Sequence, residues 1–168
     1  LIRTIADAVG KPDAGEALVK RTQEQIDQAK KQIAAWKPAK PMRVAFLYVR
    51  GNAGVFFILG SEKGASELIQ GVGADDVASD KGITTLVPAN AESLVSINPD
   101  AIFVMRDGLA STGGMKGLLA RAGVANTTAG RKQRVISIPD GISLSFGPQT
   151  GEVLTAVAKA LYLSLIHI

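Results

Sequence analysis

The stretch NAESLVSINPDAIFVM, residues 90–105, decides how the chain is read. AESLVSIN has the pattern of a short helix, NPD that of a turn, and DAIFVM (100–105) that of a buried strand. Asn90 suits an N-cap, and Glu92 in the first turn is favoured by the helix dipole. The dipole alone leaves one question open: whether the Glu92 carboxylate only supports the helix or also faces a partner.

Working outward, the same style recurs from Met42 onward. MRVAFLYV (42–49) and VFFIL (55–59) read as strands, GASELIQGVG (64–73) as a helix ending at glycine, and GGMKGLLARAG (113–123) as another helix. RVISI (134–138) reads as a strand and PQTGEVLTAVAKALYL (148–163) as a closing helix. Strands alternate with helices, and the strands are apolar runs without strict alternation. That pattern predicts an α/β lobe over residues 42–163, with an open, mostly parallel sheet covered by helices on both faces. The loops RGNAG (50–54), RDGLASTGG (106–114) and DGISLSFG (140–147) follow the strands. In an open α/β sheet ligands sit beyond the strands' C-terminal ends, so these loops form the expected binding rim.

Ahead of the lobe, residues 2–9 read as a short helix and KPDAG as a turn. A long helix follows over 15–36. Val19, Thr22, Ile26, Ala29, Ile33 and Trp36 are spaced 3, 4, 3, 4, 3 and form one stripe. Such a helix spans roughly 33 Å, and Pro38 and Pro41 end it. The pattern fits an ordinary surface helix or a strut between two lobes. At the other end, LSLIHI resembles translated sequencing-adapter read-through, so residues 164–168, with the single histidine His167, read as a non-native tail.

Composition narrows the function. The 168 residues contain no cysteine, which removes disulfides and thiolate metal sites. No stretch reaches the roughly 20 apolar residues of a membrane-spanning helix. The net charge of +4 lies wholly in residues 1–43, where nine Lys/Arg meet five Asp/Glu; residues 44–168 hold ten of each. In KRTQEQIDQAKK the lysines alternate with acids and glutamines, as on the wet face of a helix, so nucleic acid is not an expected partner. There is no GxGxxG turn, no GK[ST] phosphate loop and no G-x-S-x-G elbow. Asp107 and Asp140 both follow strands, as a pair of acids or as turn formers. Tyr48 ends a strand, where a phenolate can meet a ferric centre or a ring can pack on the sheet edge. Arg50 and Arg106 each follow a strand at the rim, a placement suited to an anionic ligand.

Taken in order, NAESLVSINPDAIFVM, then GLASTGGMKGLLARAGVANTTAGRKQRVISIPD, then SFGPQTGEVLTAVAKAL resembles the C-terminal part of haemin-binding periplasmic proteins of bacterial ABC importers. The resemblance covers about residues 1–163. The segment around Glu92 and Asn98–Pro99–Asp100 marks the wider group that binds siderophores, haem and cobalamin. GL-x-S-x-GG-x-x-GLL (108–119), TAGR (128–131) and SFGP (145–148) point to the haemin branch.

The resemblance implies two α/β lobes joined by a rigid helix, with residues 1–41 as the connection and 42–163 as the C-terminal lobe. It implies a periplasmic protein, or one anchored to the membrane and facing outward, with no chemistry performed on the ligand. Glu92 then docks on arginines of the ABC permease. Haemin is the transported ligand, with Leu86, Leu109 and Phe146 as an apolar wall, Tyr48 near the ligand, and Arg50 and Arg106 toward the propionates. The N–H groups of Gly113 and Gly114 are expected to receive an anion. The axial tyrosine of many relatives belongs to the N-terminal lobe, so this piece alone is expected to bind haemin weakly and offers no confident metal ligand. Leu86 stands where many relatives carry an aromatic, and Gln149 where many haemin binders carry arginine. Alternatives are the same fold serving a ferric siderophore or cobalamin, an α/β enzyme domain, or a structural interaction domain.

Overall fold

The computed structural model describes residues 1–141 and 147–163. In chain order the elements are α1 (Ile2–Ala8), α2 (Pro12–Trp36), β1 (Arg43–Arg50), β2 (Val55–Leu59), α3 (Ala65–Gly71), β3 (Asp75–Asp76) and α4 (Val77–Asp80). Then come β4 (Leu86–Pro88), α5 (Ala91–Ile97), β5 (Ala101–Met105), α6 (Arg106–Ser111), α7 (Gly114–Leu119), α8 (Thr128–Arg131), β6 (Val135–Ile138) and α9 (Thr150–Tyr162).

The strands form one sheet in the order β4-β2-β1-β5-β6, with β3 beside the start of β1. Both faces are covered, which is why the central strands read as runs. Val44 to Leu47 on β1 and Ala101 to Val104 on β5 are fully buried. Phe46 and Phe103 face α2, α3 and α9, with their rings edge to face at 6.4 Å. Leu47, Val49, Ile102 and Val104 face the other way, toward α4, α5, α7 and α8.

The sheet is mixed, a correction to the expected mostly parallel one. β1 pairs in parallel with β3 and β5, and β5 with β6, whereas β1–β2 and β2–β4 are antiparallel. The physical reason is the short link after β1. Residues 51–54 form a single 3-10 turn closed by Gly54 at φ 66°, and Arg50 is paired with Val55. A parallel partner needs a crossover of a dozen or more residues, so β2 has to return as a hairpin.

Three further differences are local. The KPDAG segment is helix start rather than turn, because Pro12 occupies the first turn of α2, where its missing N–H is harmless. RDGLAS is helix α6 rather than loop. The third is an element that the sequence reading leaves unassigned: TAGR is helix α8, capped by Thr127, whose Oγ1 accepts the Gly130 N–H at 3.0 Å.

The long helix keeps its stripe. Thr22, Ala29 and Ile33 are buried, and Val19, Ile26 and Trp36 are half-buried. Ala29 and Ile33 join the same cluster as Val153, Val157 and Leu161 of α9. Close approach of the two helices depends on Gly151, where a Cβ would sit 2.7 Å from the Gln25 carbonyl oxygen. α1 folds back on the start of α2. Its approach needs Gly15, where a Cβ would lie 2.4 Å from Ala6 Cβ, and Arg3 pairs with Glu16 at its edge.

Candidate functional site

Tyr48 and Arg50 are two residues apart on β1, so both project from one face of the sheet. At the strand's C-terminal end the Arg50 guanidinium lies over the Tyr48 ring, its Cζ 5.0 Å from the centroid. Both side chains are half-buried. One residue beyond the last β1–β5 pair, Leu47 with Val104, the register sets Tyr48 beside Met105. Arg50 Nη2 is 4.0 Å from Met105 Sδ, and Nη1 donates to the Val49 carbonyl at 3.0 Å.

Asp140 completes this corner. Its Oδ1 meets Arg50 Nη2 at 3.4 Å, and its Oδ2 accepts the Asp107 N–H at 2.9 Å. Asp107 and Asp140 are thus brought together through the Asp107 backbone N–H and the Asp140 carboxylate. The following loop is fixed as well. Ser111 Oγ accepts the Gly51 N–H at 2.8 Å and donates to the Gly108 carbonyl at 2.6 Å. The GL-x-S segment therefore serves to lock α6 onto the end of β1.

Other expected site residues are more scattered. Arg106 is exposed at the start of α6, and its guanidinium makes no hydrogen bond or ion pair among the described residues. Leu86 is 42% exposed on the edge strand β4, paired across β2 at the level of Phe46 rather than at the strand ends. Leu109 is half-buried and packs against the cluster on the opposite face of the sheet from Tyr48. The Gly113 N–H, expected to be open to an anion, donates to the Ala110 carbonyl at 3.0 Å because the end of α6 runs directly into α7. Gly114 opens α7, a helix of six residues. Phe146 lies outside the described residues, as do residues 164–168.

Glu92 is exposed in the first turn of α5. The cap itself is made by others. Asn90 Oδ1 accepts the Ser93 N–H at 2.8 Å, and Ser93 Oγ accepts the Asn90 N–H at 3.0 Å. The Glu92 carboxylate makes no hydrogen bond or ion pair among the described residues.

Asn98–Pro99–Asp100 is structural. Asn98 ends α5 in the left-handed region at φ 37°, and its Oδ1 accepts the Thr128 N–H at 2.8 Å. The Arg43 guanidinium donates to the Ile97 and Asn98 carbonyls, and Asp100 Oδ2 accepts the Arg43 N–H. Asn98 in αL caps the helix without a glycine.

Among the described residues no group of three His, Cys, Asp or Glu is placed to hold a metal ion. No described helix is long and apolar enough to cross a membrane. Among the described residues a groove of about 970 Å³ lies away from Tyr48 and Arg50, between α1, the first half of α2 and the residues leading into α9. It is apolar, with Ile5, Val9, Leu18, Val19 and Ile26 on its walls.

Comparison with known proteins places this geometry in context. No curated protein matches the chain. Among solved structures it is similar to the heme binding protein HmuT, with 49% identity and a TM-score of 0.93 over 96% of this chain and 52% of that one. It is similar to the periplasmic heme-binding protein RhuT from Roseiflexus sp. RS-1, with 35% identity and a TM-score of 0.90 over 98% of this chain and 61% of that one. The periplasmic heme-binding protein BhuT, solved with two hemes, is 31% identical, with a TM-score of 0.88 over 98% and 61%. The chain thus spans between half and two thirds of the length of these relatives. Periplasmic binding protein is the family that matches residues 1–141, most of the chain. By that match and by its identity to these solved structures, the chain belongs to the periplasmic binding protein family.

Proposed function

We propose that the chain is the C-terminal lobe and connecting helix of a periplasmic protein that captures haemin and delivers it to an ABC permease, with no chemistry performed on the cargo. Residues 1–41 are the connection and 42–163 the lobe. The observation that carries the reading is the Tyr48–Arg50 pair at the end of β1. Solved variants of HmuT replace a tyrosine and, two positions beyond it, an arginine, the spacing of Tyr48 and Arg50. The chain spans about half of the HmuT chain, which supports a second cleft wall contributed by another lobe.

Tyr48 is the iron-facing group in this reading, which moves the axial phenolate from the other lobe, where the resemblance alone had put it, to this one. Arg106, exposed and without an ion pair among the described residues, meets a propionate. The apolar groove along α1 and α2 is the seat of the other lobe. Its margin includes Leu1, Ile5 and Val9 at 87%, 55% and 64% exposure, more contiguous apolar surface than scattered single residues leave. Glu92 contacts the permease.

The test is haemin titration of the full-length protein followed by its Soret band. The expected result is a saturable shift that Tyr48→Phe weakens at least tenfold. An unshifted band in the wild type sinks the reading and favours a ferric siderophore or cobalamin as cargo. Residues 1–168 alone are expected to bind weakly, because one wall of the cleft excludes water poorly.

A further inference from the structure

We propose that Asp140 is a positioning residue of the haemin site, holding the Arg50 guanidinium on the Tyr48 ring and locking that pair to the start of α6. The inference rests on the haem-facing reading of Tyr48 and adds to it a residue that itself need not touch the cargo.

Three parallel strands meet here. β1, β5 and β6 end side by side, and Arg50, the Asp107 N–H and Asp140 meet just beyond those ends. The Asp140 carboxylate uses that alignment with both oxygens, one toward Arg50 and the other on the Asp107 N–H. A free arginine side chain samples many rotamers. This one has a built seat. The Tyr48 ring lies on one side, the Val49 carbonyl and Met105 Sδ line the rim, and Gly108 leaves the remaining space. A Cβ at Gly108 would stand 3.1 Å from Arg50 Nη1 and 2.6 Å from the Val49 oxygen. Asp140 is the group that draws the charged end into this seat.

A division of labour between the two arginines follows. Arg50 has its charge matched by Asp140 and serves to orient the tyrosine. Arg106, one residue past Met105, is left for a carboxylate of the cargo.

A double-mutant cycle in the full-length protein separates this role from simple anchoring of α6. Haemin affinity and the Soret position are measured for Arg50→Ala, Asp140→Ala and the double variant, with Tyr48→Phe as reference. Each single change is expected to weaken binding about tenfold, and the pair together still about tenfold, because both remove one interaction. Asp140→Asn, which keeps the shape, is expected to move the Soret band in the same direction as Arg50→Ala. Effects that multiply to about a hundredfold, or an Asp140→Asn protein with wild-type spectrum and affinity, overturn the proposal while Tyr48→Phe still weakens binding. If Tyr48→Phe and Arg50→Ala both bind haemin as the wild type does, the haem-facing reading itself falls, and this inference with it.

Discussion

Asn90 and Ser93 cap one another's backbone across the first turn of α5, and Glu92 between them is left facing outward. Residues 90–105 therefore contain a cap that does not need the Glu92 carboxylate. Glu92→Ala is expected to change stability by less than about 0.5 kcal/mol, as for an exposed residue without partners. Asn90→Ala is expected to destabilise by about 1 kcal/mol through loss of the cap. If Glu92 docks on the permease, Glu92→Arg leaves haemin binding intact and abolishes binding-protein-stimulated ATPase activity of the reconstituted importer. Normal stimulation by that variant removes the docking role.

Asn98 has two structural duties, the left-handed C-cap of α5 and acceptance of the Thr128 N–H. Asn98→Ala is expected to lower stability by about 2 kcal/mol, combining left-handed strain with an unsatisfied donor. Asn98→Gly relieves the strain alone and should recover about half of the loss. Urea unfolding of the three proteins checks this. Equal midpoints for the alanine and glycine variants would assign the whole effect to the hydrogen bond.

Phe103 is fully buried on β5, edge to face with Phe46. Phe103→Ala is expected to destabilise by about 3–5 kcal/mol, because the cavity lies between sheet and helices that cannot both collapse into it. Phe103→Leu should lose much less. Calorimetry on both variants measures the difference.

Tyr162 closes α9 against the lobe, its Oη donating to the Val72 carbonyl at 2.8 Å. Burial, assisted by the Asp75 carboxylate, pushes its phenol up to about 12 from an ordinary value of 10. A raised folded-state value means the unfolded chain releases the proton first. The contribution is therefore fully present below pH 10 and lost as pH rises toward 12. Tyr162→Phe is expected to cost about 1 kcal/mol at neutral pH and to flatten stability across that alkaline window. An unchanged alkaline slope in the variant would place the titration elsewhere.

The legibility of this chain in its residues followed local physics. VFFIL was read with the bounds that β2 has, and the α2 stripe from Val19 to Trp36 kept its register, because apolar periodicity and breakers act within a few residues. Helix α6 was missed because Gly108 and the polar residues around it look like loop. The glycine is there for the approach of Val49 and Arg50, which are close in space and far in sequence. Arg50 and Arg106 looked equivalent, each a cation after a strand, and only the fold gave one of them an acidic neighbour.

By itself the sequence determined the α/β class, the bounds of β2, the stripe of α2 and the cap at Asn90. Each of these depends on residue spacing and local backbone preference, and all are readable along the chain. Tertiary structure decided the antiparallel turn-back of β2, the outward aspect of Glu92 and the meeting of Tyr48, Arg50 and Asp140. The last of these depends on strand register, and one register shift would carry every side chain of a strand to the other face or level. The corner that gathers them exists because β1, β5 and β6 end side by side.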